Sequence, residues 1–221
     1  MTLAVDGCQL WSSCFGTALV ESLILSVQSS SLEGRAGTRR LLSVPLVHEI
    51  ATKGPVFDLA KGVVGPGAFP VRAILFDKQP EVNWELGYHQ DRAIAVKERQ
   101  DVDGFNGWSV KEGVAHVLPP VSVLEGMISV RIHLDDCGLG NGPLRVSLGT
   151  HTLGIIDKYQ MPDVLREHGQ VVCTCSAGDV LLMRPLLLHA SSKAERPAHR
   201  RVVHIEYAAS ALPGGLQWYE R

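Results

Sequence analysis

Three features of the sequence predict a mainly β domain, a compact sandwich or barrel braced on one side by helices. Apolar residues follow helical spacing only between Gly16 and about Val63. After Pro70 the apolar runs are short and rich in β-branched residues, with Gly, Pro and Asp between them. The two textures follow one another without regular alternation, so a βαβ design with a parallel sheet is not indicated.

The elements are read in chain order. Leu19, Leu23 and Val27 mark one helical face and Leu42, Leu46 and Ile50 another, separated by the Ser- and Gly-containing stretch 28–37. Two or three helices are therefore expected. Strands are expected at 71–77, 92–98, 128–134, 143–148, 171–175, 179–183 and 200–207. Residues 101–120 carry three Gly, two Pro and little periodicity. A long stretch of that kind in a compact domain is usually a covering loop, and Phe105, Trp108, Val114 and Val117 give it apolar anchors, so an ordered lid is expected there. The 221 residues form one domain in this reading, with 1–70 as mostly helical support and 71–221 as the barrel core.

Composition narrows the function. Twenty-one Lys plus Arg stand against 23 Asp plus Glu, a net charge of -2, which gives no general attraction to nucleic acid or an acidic membrane. A hydrophobic fraction of 45% with 20% charged residues argues for a folded globule. Five cysteines, an odd number with no CxxC pair, fit a reducing cytosol better than export, and a cytoplasmic location is expected. The apolar segment Phe15 to Val27 is interrupted by Glu21 and lacks a basic run before it, so it reads as neither signal peptide nor membrane span.

Among nine histidines, His89 stands out because Asp91 lies two residues on. In an extended chain both side chains leave the same face, so an imidazole and a carboxylate converge. One more nitrogen ligand completes the two-His-one-carboxylate triad that holds Fe(II) on three adjacent positions and leaves the others open. His189, where Leu186-Leu187-Leu188 meets Ala190-Ser191-Ser192, is the candidate, on a non-adjacent strand that meets the first inside the barrel. Arg200 opens the apolar run RRVVHIEY, where an unpaired guanidinium is costly, and so implies an anionic partner such as the far carboxylate of a dicarboxylate. Arg201 reads instead as a solvent-facing strand start.

With these residues in place the chain resembles the phytanoyl-CoA dioxygenase family of Fe(II)- and 2-oxoglutarate-dependent oxygenases. The resemblance runs from about Ala73 to the C-terminus: HxD at 89–91, NGPLRVSLGTH at 141–151, AGDVLLMRPLLLHASS at 177–192 and HRRVVHIEY at 199–207. It implies a double-stranded β-helix, a cupin-like jelly-roll barrel, with iron on His89, Asp91 and His189. It implies 2-oxoglutarate on Arg200, joined by Ser191. Lys78 resembles a lysine that reaches the cosubstrate in relatives, the alternative being an exposed strand-end lysine. Where some members carry a Trp near 2-oxoglutarate, this sequence has Arg131, which shares a strand face with His133. It would then meet a carboxylate of cosubstrate or substrate, the alternative being an outward-facing Arg. Leu148 stands where the family often has Pro, and His151 reads as structural. Related halogenases replace the HxD carboxylate by a small residue; Asp91 is present here, so hydroxylation with release of succinate and carbon dioxide is the implied outcome. The rival classes are a metal-dependent cupin-like isomerase or hydrolase, which has no need of Arg200, and a noncatalytic binding barrel. A small-molecule substrate and O2 are the expected partners; the substrate's identity and the oligomeric state are not legible.

Overall fold

Two antiparallel sheets face one another, and period-two alternation along their strands decides what each surface holds. The structure, a computed structural model, describes residues 1–28 and 37–221. Its strands are β1 (Cys8–Trp11), β2 (Gly37–Arg39), β3 (Phe69–Lys78), β4 (Leu86–His89), β5 (Ile94–Val96), β6 (Asn106–Lys111), β7 (Val114–Leu118), β8 (Ile128–His133), β9 (Leu144–Ser147), β10 (Gln170–Cys173), β11 (Val180–Met183), β12 (His189–Ser191) and β13 (Arg200–Ala208). The larger sheet runs β1-β11-β8-β13-β3-β2 and the smaller β10-β9-β12-β4. This is the double-stranded β-helix that the resemblance implies.

The helical layer covers one face of the larger sheet. Helices α1 (Leu3–Asp6), α2 (Thr17–Gln28), α3 (Pro45–Thr52) and α4 (Pro55–Val64) precede β3. Both α3 and α4 begin on a proline, whose missing N–H falls where no helical bond is available and whose fixed φ suits a first turn. Their buried residues, with Val20, Leu23 and Val27 of α2, pack on Ala73, Leu75, Val130, Ile132, Val203, Ile205 and Tyr207. The sheet residues are alternate positions of β3, β8 and β13, so the intervening ones face the smaller sheet. These include Arg72, Lys78, Arg131, His133, Arg200, His204 and Glu206. The connection at 28–37 lies almost wholly outside the described residues.

The segment 101–120 differs from its aperiodic reading. It forms a hairpin of β6 and β7 that pairs with β5 as a third, three-stranded sheet. A register shift between Asn106 and Ser109 hides the alternation that would otherwise mark the strands. Gly107, at φ 61° inside that irregularity, leaves no room for a Cβ, which would sit 2.7 Å from Leu118 Cδ1. Phe105 and Val117 are buried with Leu212, Leu216 and Trp218, while Trp108 is half-buried beside them, 5.7 Å from the Arg99 guanidinium. The tip is tied by Arg39 Nη1 to Glu112 Oε1 at 2.5 Å and by Arg40 Nη2 to the Glu112 carbonyl at 3.1 Å.

His133 couples this architecture to pH. Burial first, then the charges of Arg131 and Arg200, push its imidazole down to about 3. An unfolded histidine titrates near ~6.5, so as pH falls between these values the unfolded chain takes a proton that the folded one refuses. Stability is untouched above that window and lost within it, by at most about 1.4 kcal/mol per pH unit. His133→Leu should flatten the fall of the metal-free protein's urea midpoint between pH 6 and pH 4; an unchanged slope would refute the assignment.

Candidate metal and oxo-acid site

Strand pairing brings the ligand candidates together. β12 lies directly beside β4, with His189 opposite His89 in register, so the two are neighbours rather than residues of non-adjacent strands. Strand order within a sheet leaves no local trace in the sequence, which is why the spacing suggests otherwise. The chain leaves β4 after His89, and the Asp91 N–H donates to the Pro185 carbonyl at 2.9 Å, turning its carboxylate back toward both rings. The His89 Nε2 atom is 3.8 Å from Asp91 Oδ1, and His189 Nε2 is 3.6 Å from Asp91 Oδ2. All three ligand atoms fall within 4.8 Å of one another, the one such group of His, Cys, Asp or Glu among the described residues.

The outer contacts of these side chains prepare them for a metal. His89 Nδ1 and His189 Nδ1 each lie 2.9 Å from the backbone carbonyl two residues earlier, Gly87 and Leu187. A carbonyl only accepts, so Nδ1 carries a proton in both rings, which leaves each Nε2 as the ring atom turned toward Asp91 and open to a metal. Burial lowers His189 to about 4, against the opposing pull of Asp91, and so keeps it neutral. Burial alone would raise Asp91, but the positive charge that gathers around it in acid, a protonated His189 first and Arg72 with it, outweighs burial and brings the carboxyl down to about 2. Two imidazole nitrogens and an ionised carboxylate are the donor set of a first-row divalent metal with open positions.

Gln90, between the ligands, gives no signal in the sequence. Its Nε2 donates to the Gly154 and Leu186 carbonyls, both at 2.7 Å, and its Oε1 accepts from the Ile156 N–H at 2.9 Å. These bonds fix the stretch of chain that aims His89 and Asp91.

A cationic cluster lies beside the ligands. Arg200 is buried, as its place in an apolar strand predicts, and donates to the Gly142 carbonyl and, at 3.1 Å, to Ser191 Oγ. Lys78 is opposite Arg200 in register and has no exposed surface, so the exposed strand-end reading is corrected: the strand continues to its last residue inside the sheet. Its Nζ donates to Ser191 Oγ at 3.2 Å and to the Ser192 carbonyl, and lies 5.1 Å from the Trp84 ring centroid. Burial, then Arg200, lowers Lys78 to about 8. Gly142 admits this crowding, since at φ 59° a Cβ there would sit 3.0 Å from Lys78 Nζ. Neither cation has a carboxylate partner among the described residues, so the pair fits one end of an anionic ligand.

Arg131 also faces inward, 7% exposed, which excludes the outward alternative. The cleft between the sheets is further lined by Arg72, His204 and Glu206, none of them singled out from the sequence. Arg72 grips Glu206 with both arms of its fork, Nε to Oε2 at 2.9 Å. A signal exists: His204 and Glu206 alternate with Val203, Ile205 and Tyr207, the pattern of a strand with one polar inner face. Arg201, read as solvent-facing, is instead a two-armed partner of Asp135 at 2.8 and 2.6 Å. The Asp135 carboxylate lies just beyond β8, 66 residues away, and only the pairing of β8 with β13 brings it near. His151 lies away from the triad, beside Arg184 and Leu186.

Residues 64–202 match the family described as Phytanoyl-CoA dioxygenase (PhyH). No curated protein matches the chain in sequence. Among solved structures, the chain is similar to EctD from S. alaskensis, with TM-score 0.72 and 18% identity over 95% of this chain and 76% of that one. HygX from Streptomyces hygroscopicus, solved with nickel and 2-oxoglutarate bound, gives TM-score 0.68 and 14% identity over 94% and 85%. SnoK, a non-heme alpha ketoglutarate dependent carbocyclase from nogalamycin biosynthesis, gives 0.71 and 12% over 99% and 84%. At these identities the likeness is one of fold.

Asp91→Ala should abolish divalent-metal binding, read by anaerobic equilibrium dialysis, while the protein stays folded. Gln90→Ala should weaken the same binding by about tenfold, the lower end of what outer-shell supports contribute. Full affinity in Asp91→Ala would remove the site.

Proposed function

The chain belongs to the phytanoyl-CoA dioxygenase family, and so to the Fe(II)- and 2-oxoglutarate-dependent dioxygenases; from that premise we propose that it hydroxylates a small organic molecule. In this reading His89, Asp91 and His189 hold the iron, while Arg200, Ser191 and Lys78 hold the far carboxylate of 2-oxoglutarate. The observation that carries it is the placement of two buried cations without a countercharge one alternate residue along β12 from a metal ligand: Ser191, which both touch, follows His189 by two. When bound, iron and 2-oxoglutarate would supply oxidation by O2, one oxygen atom going into succinate as the keto acid loses carbon dioxide and the other into a substrate C–H bond.

The chain's residues supply position and exclusion. Asp91 and the two Nε2 atoms would hold the metal at the wall of the cleft, where cosubstrate and substrate could reach it. The fork of Arg200 and the Ser191 hydroxyl fix the cosubstrate's far end, so its keto acid end is presented to the metal in a single orientation. Ile74, Phe76, Trp84, Leu86 and Leu144 line the cleft with apolar surface that limits water around the reacting groups. Asp91 favours hydroxylation, because it offers a carboxylate ligand where related halogenases carry a small residue that would leave room for halide. The unpaired charge of Arg200 weighs against an isomerase or hydrolase on the same barrel, which would leave a buried guanidinium without use.

Arg200→Ala removes two hydrogen bonds to a charged ligand, each worth roughly 1.5 to 3 kcal/mol, and should weaken anaerobic 2-oxoglutarate binding by about a hundredfold or more with little change in iron affinity. Arg201→Ala should lower the melting temperature through Asp135 and leave 2-oxoglutarate binding unchanged. Equal effects of the two on 2-oxoglutarate would sink the assignment. We extend the proposal to the hairpin 101–120 as a cover. Trp108→Ala should then raise the ratio of succinate to hydroxylated product, whereas a lower melting temperature with an unchanged ratio would assign Trp108 to packing alone.

A further inference from the structure

Arg131 is a buried cation that the site as assigned does not use. It lies on β8 opposite His204 of β13, lines the cleft, and forms no ion pair among the described residues. Its Nη1 is 3.2 Å from His204 Nδ1, and His204 Nε2 is 3.3 Å from Glu206 Oε1. A guanidinium only donates, so Nδ1 is the acceptor and His204 is a neutral ring whose proton sits on Nε2, directed at Glu206. His204 therefore gives Arg131 a hydrogen-bond acceptor but no countercharge. Glu206 is already gripped by both arms of Arg72. The Arg131 Nε has no partner among the described residues, and the Phe76 ring 5.6 Å from its guanidinium carbon offers a weak cation contact.

Charge counting turns this into a statement about substrate. In the proposed site the two charges of Fe(II) would be met by Asp91 and one carboxylate of 2-oxoglutarate and the other carboxylate by Arg200, while Arg72 cancels Glu206. Lys78 and Arg131 remain. Lys78 sits with Arg200 on the Ser191 hydroxyl, bonded also to the Ser192 carbonyl, and so belongs with Arg200 to the far carboxylate. Arg131 meets β13 four residues from Arg200, roughly 13 Å along the strand at 3.3 Å per residue. We propose that the primary substrate carries a carboxylate or an equivalent anionic group, and that Arg131 grips it in the floor of the cleft. The inference rests on the Fe(II) and 2-oxoglutarate reading and names the substrate class within it. Arg131 acts here as a specificity-determining residue.

The test needs no identified substrate. Isobutyrate and isobutyramide have nearly the same shape and differ in charge, and each can be titrated anaerobically into the Fe(II)- and 2-oxoglutarate-loaded protein. Binding is read from the visible charge-transfer band and from the melting temperature. The wild type should bind the acid at least tenfold more tightly than the amide. Arg131→Gln, which keeps an N–H donor for His204 but removes the charge, should lose that preference, and Arg131→Lys should restore part of it. The 2-oxoglutarate affinity of Arg131→Gln should stay within threefold of wild type. Should Arg131→Gln not fold, Arg131→Met carries the same comparison. Equal binding of acid and amide by the wild type, or a preference that survives loss of the charge, overturns the proposal. A tenfold loss of 2-oxoglutarate affinity in Arg131→Gln also overturns it, because the residue then serves the cosubstrate. A wild type that takes up no 2-oxoglutarate at all fails earlier, at the reading beneath.

Discussion

The structure depends on one sheet doing two incompatible things on its two faces. Alternate residues of β3, β8 and β13 build an apolar surface against the helices, and those between them place Arg72, Lys78, Arg131, Arg200 and Glu206 in the interior. Removing a charge from water costs several kcal/mol unless it is paired. Each fully covered aliphatic side chain on the opposite face returns about 1.5 to 3 kcal/mol. The helical layer thus stabilises a domain whose other face is unfavourable by itself. Natural sequences tolerate such an arrangement where the unpaired groups await ligands.

Pairing sorts those charges. Arg72 with Glu206 and Arg201 with Asp135 are closed two-armed pairs that hold the sheet together. Arg200, Lys78 and Arg131 have neutral partners only, and all three lie around the cleft or its Ser191 edge. The smaller sheet answers with the same period of two, since His189 and Ser191 leave one face of β12 toward that cleft. A register slip of one residue in β12 would turn both away together. The proposed metal and anion positions therefore depend on a single strand register.

What the sequence discloses of this site follows how local its causes are. His89 and Asp91 are readable because two residues of extended chain suffice to make them converge, and His189 and Arg200 because each interrupts or opens an apolar run. The helices and most strands are readable for the same reason, with ends displaced by a residue or two. The adjacency of β4 and β12, the burial of Lys78 and the Arg201–Asp135 pair all depend on partners far away in the chain. The hairpin at 106–118 is not legible because an irregular register breaks its alternation, and its glycines then look like loop residues. Arg72 reads as one polar residue among apolar ones, although Glu206 at the matching place on β13 is its reason.

The hairpin shows how magnitudes decide which end of a cover can move. Its tip is held to Arg39 by an ion pair about one third exposed on both sides, and pairs of that kind contribute about 0 to 1 kcal/mol. Its root buries Phe105 and Val117 with Leu212, Leu216 and Trp218, side chains whose exposure would cost about 1.5 to 3 kcal/mol each. The root is therefore the end of the hairpin that apolar burial holds, and the tip the end held by polar contacts. Gly107 is locked by the Leu118 side chain beside it and does not act as a hinge. If the hairpin covers the cleft as proposed, opening would lift Lys111 to Gly113 away from Arg39 and Arg40 about a packed root. Lys111 senses the charges of Arg72, Arg39, Asp91 and Glu206, three of them cleft residues, so such a lifting would also change the electrostatics of the cleft.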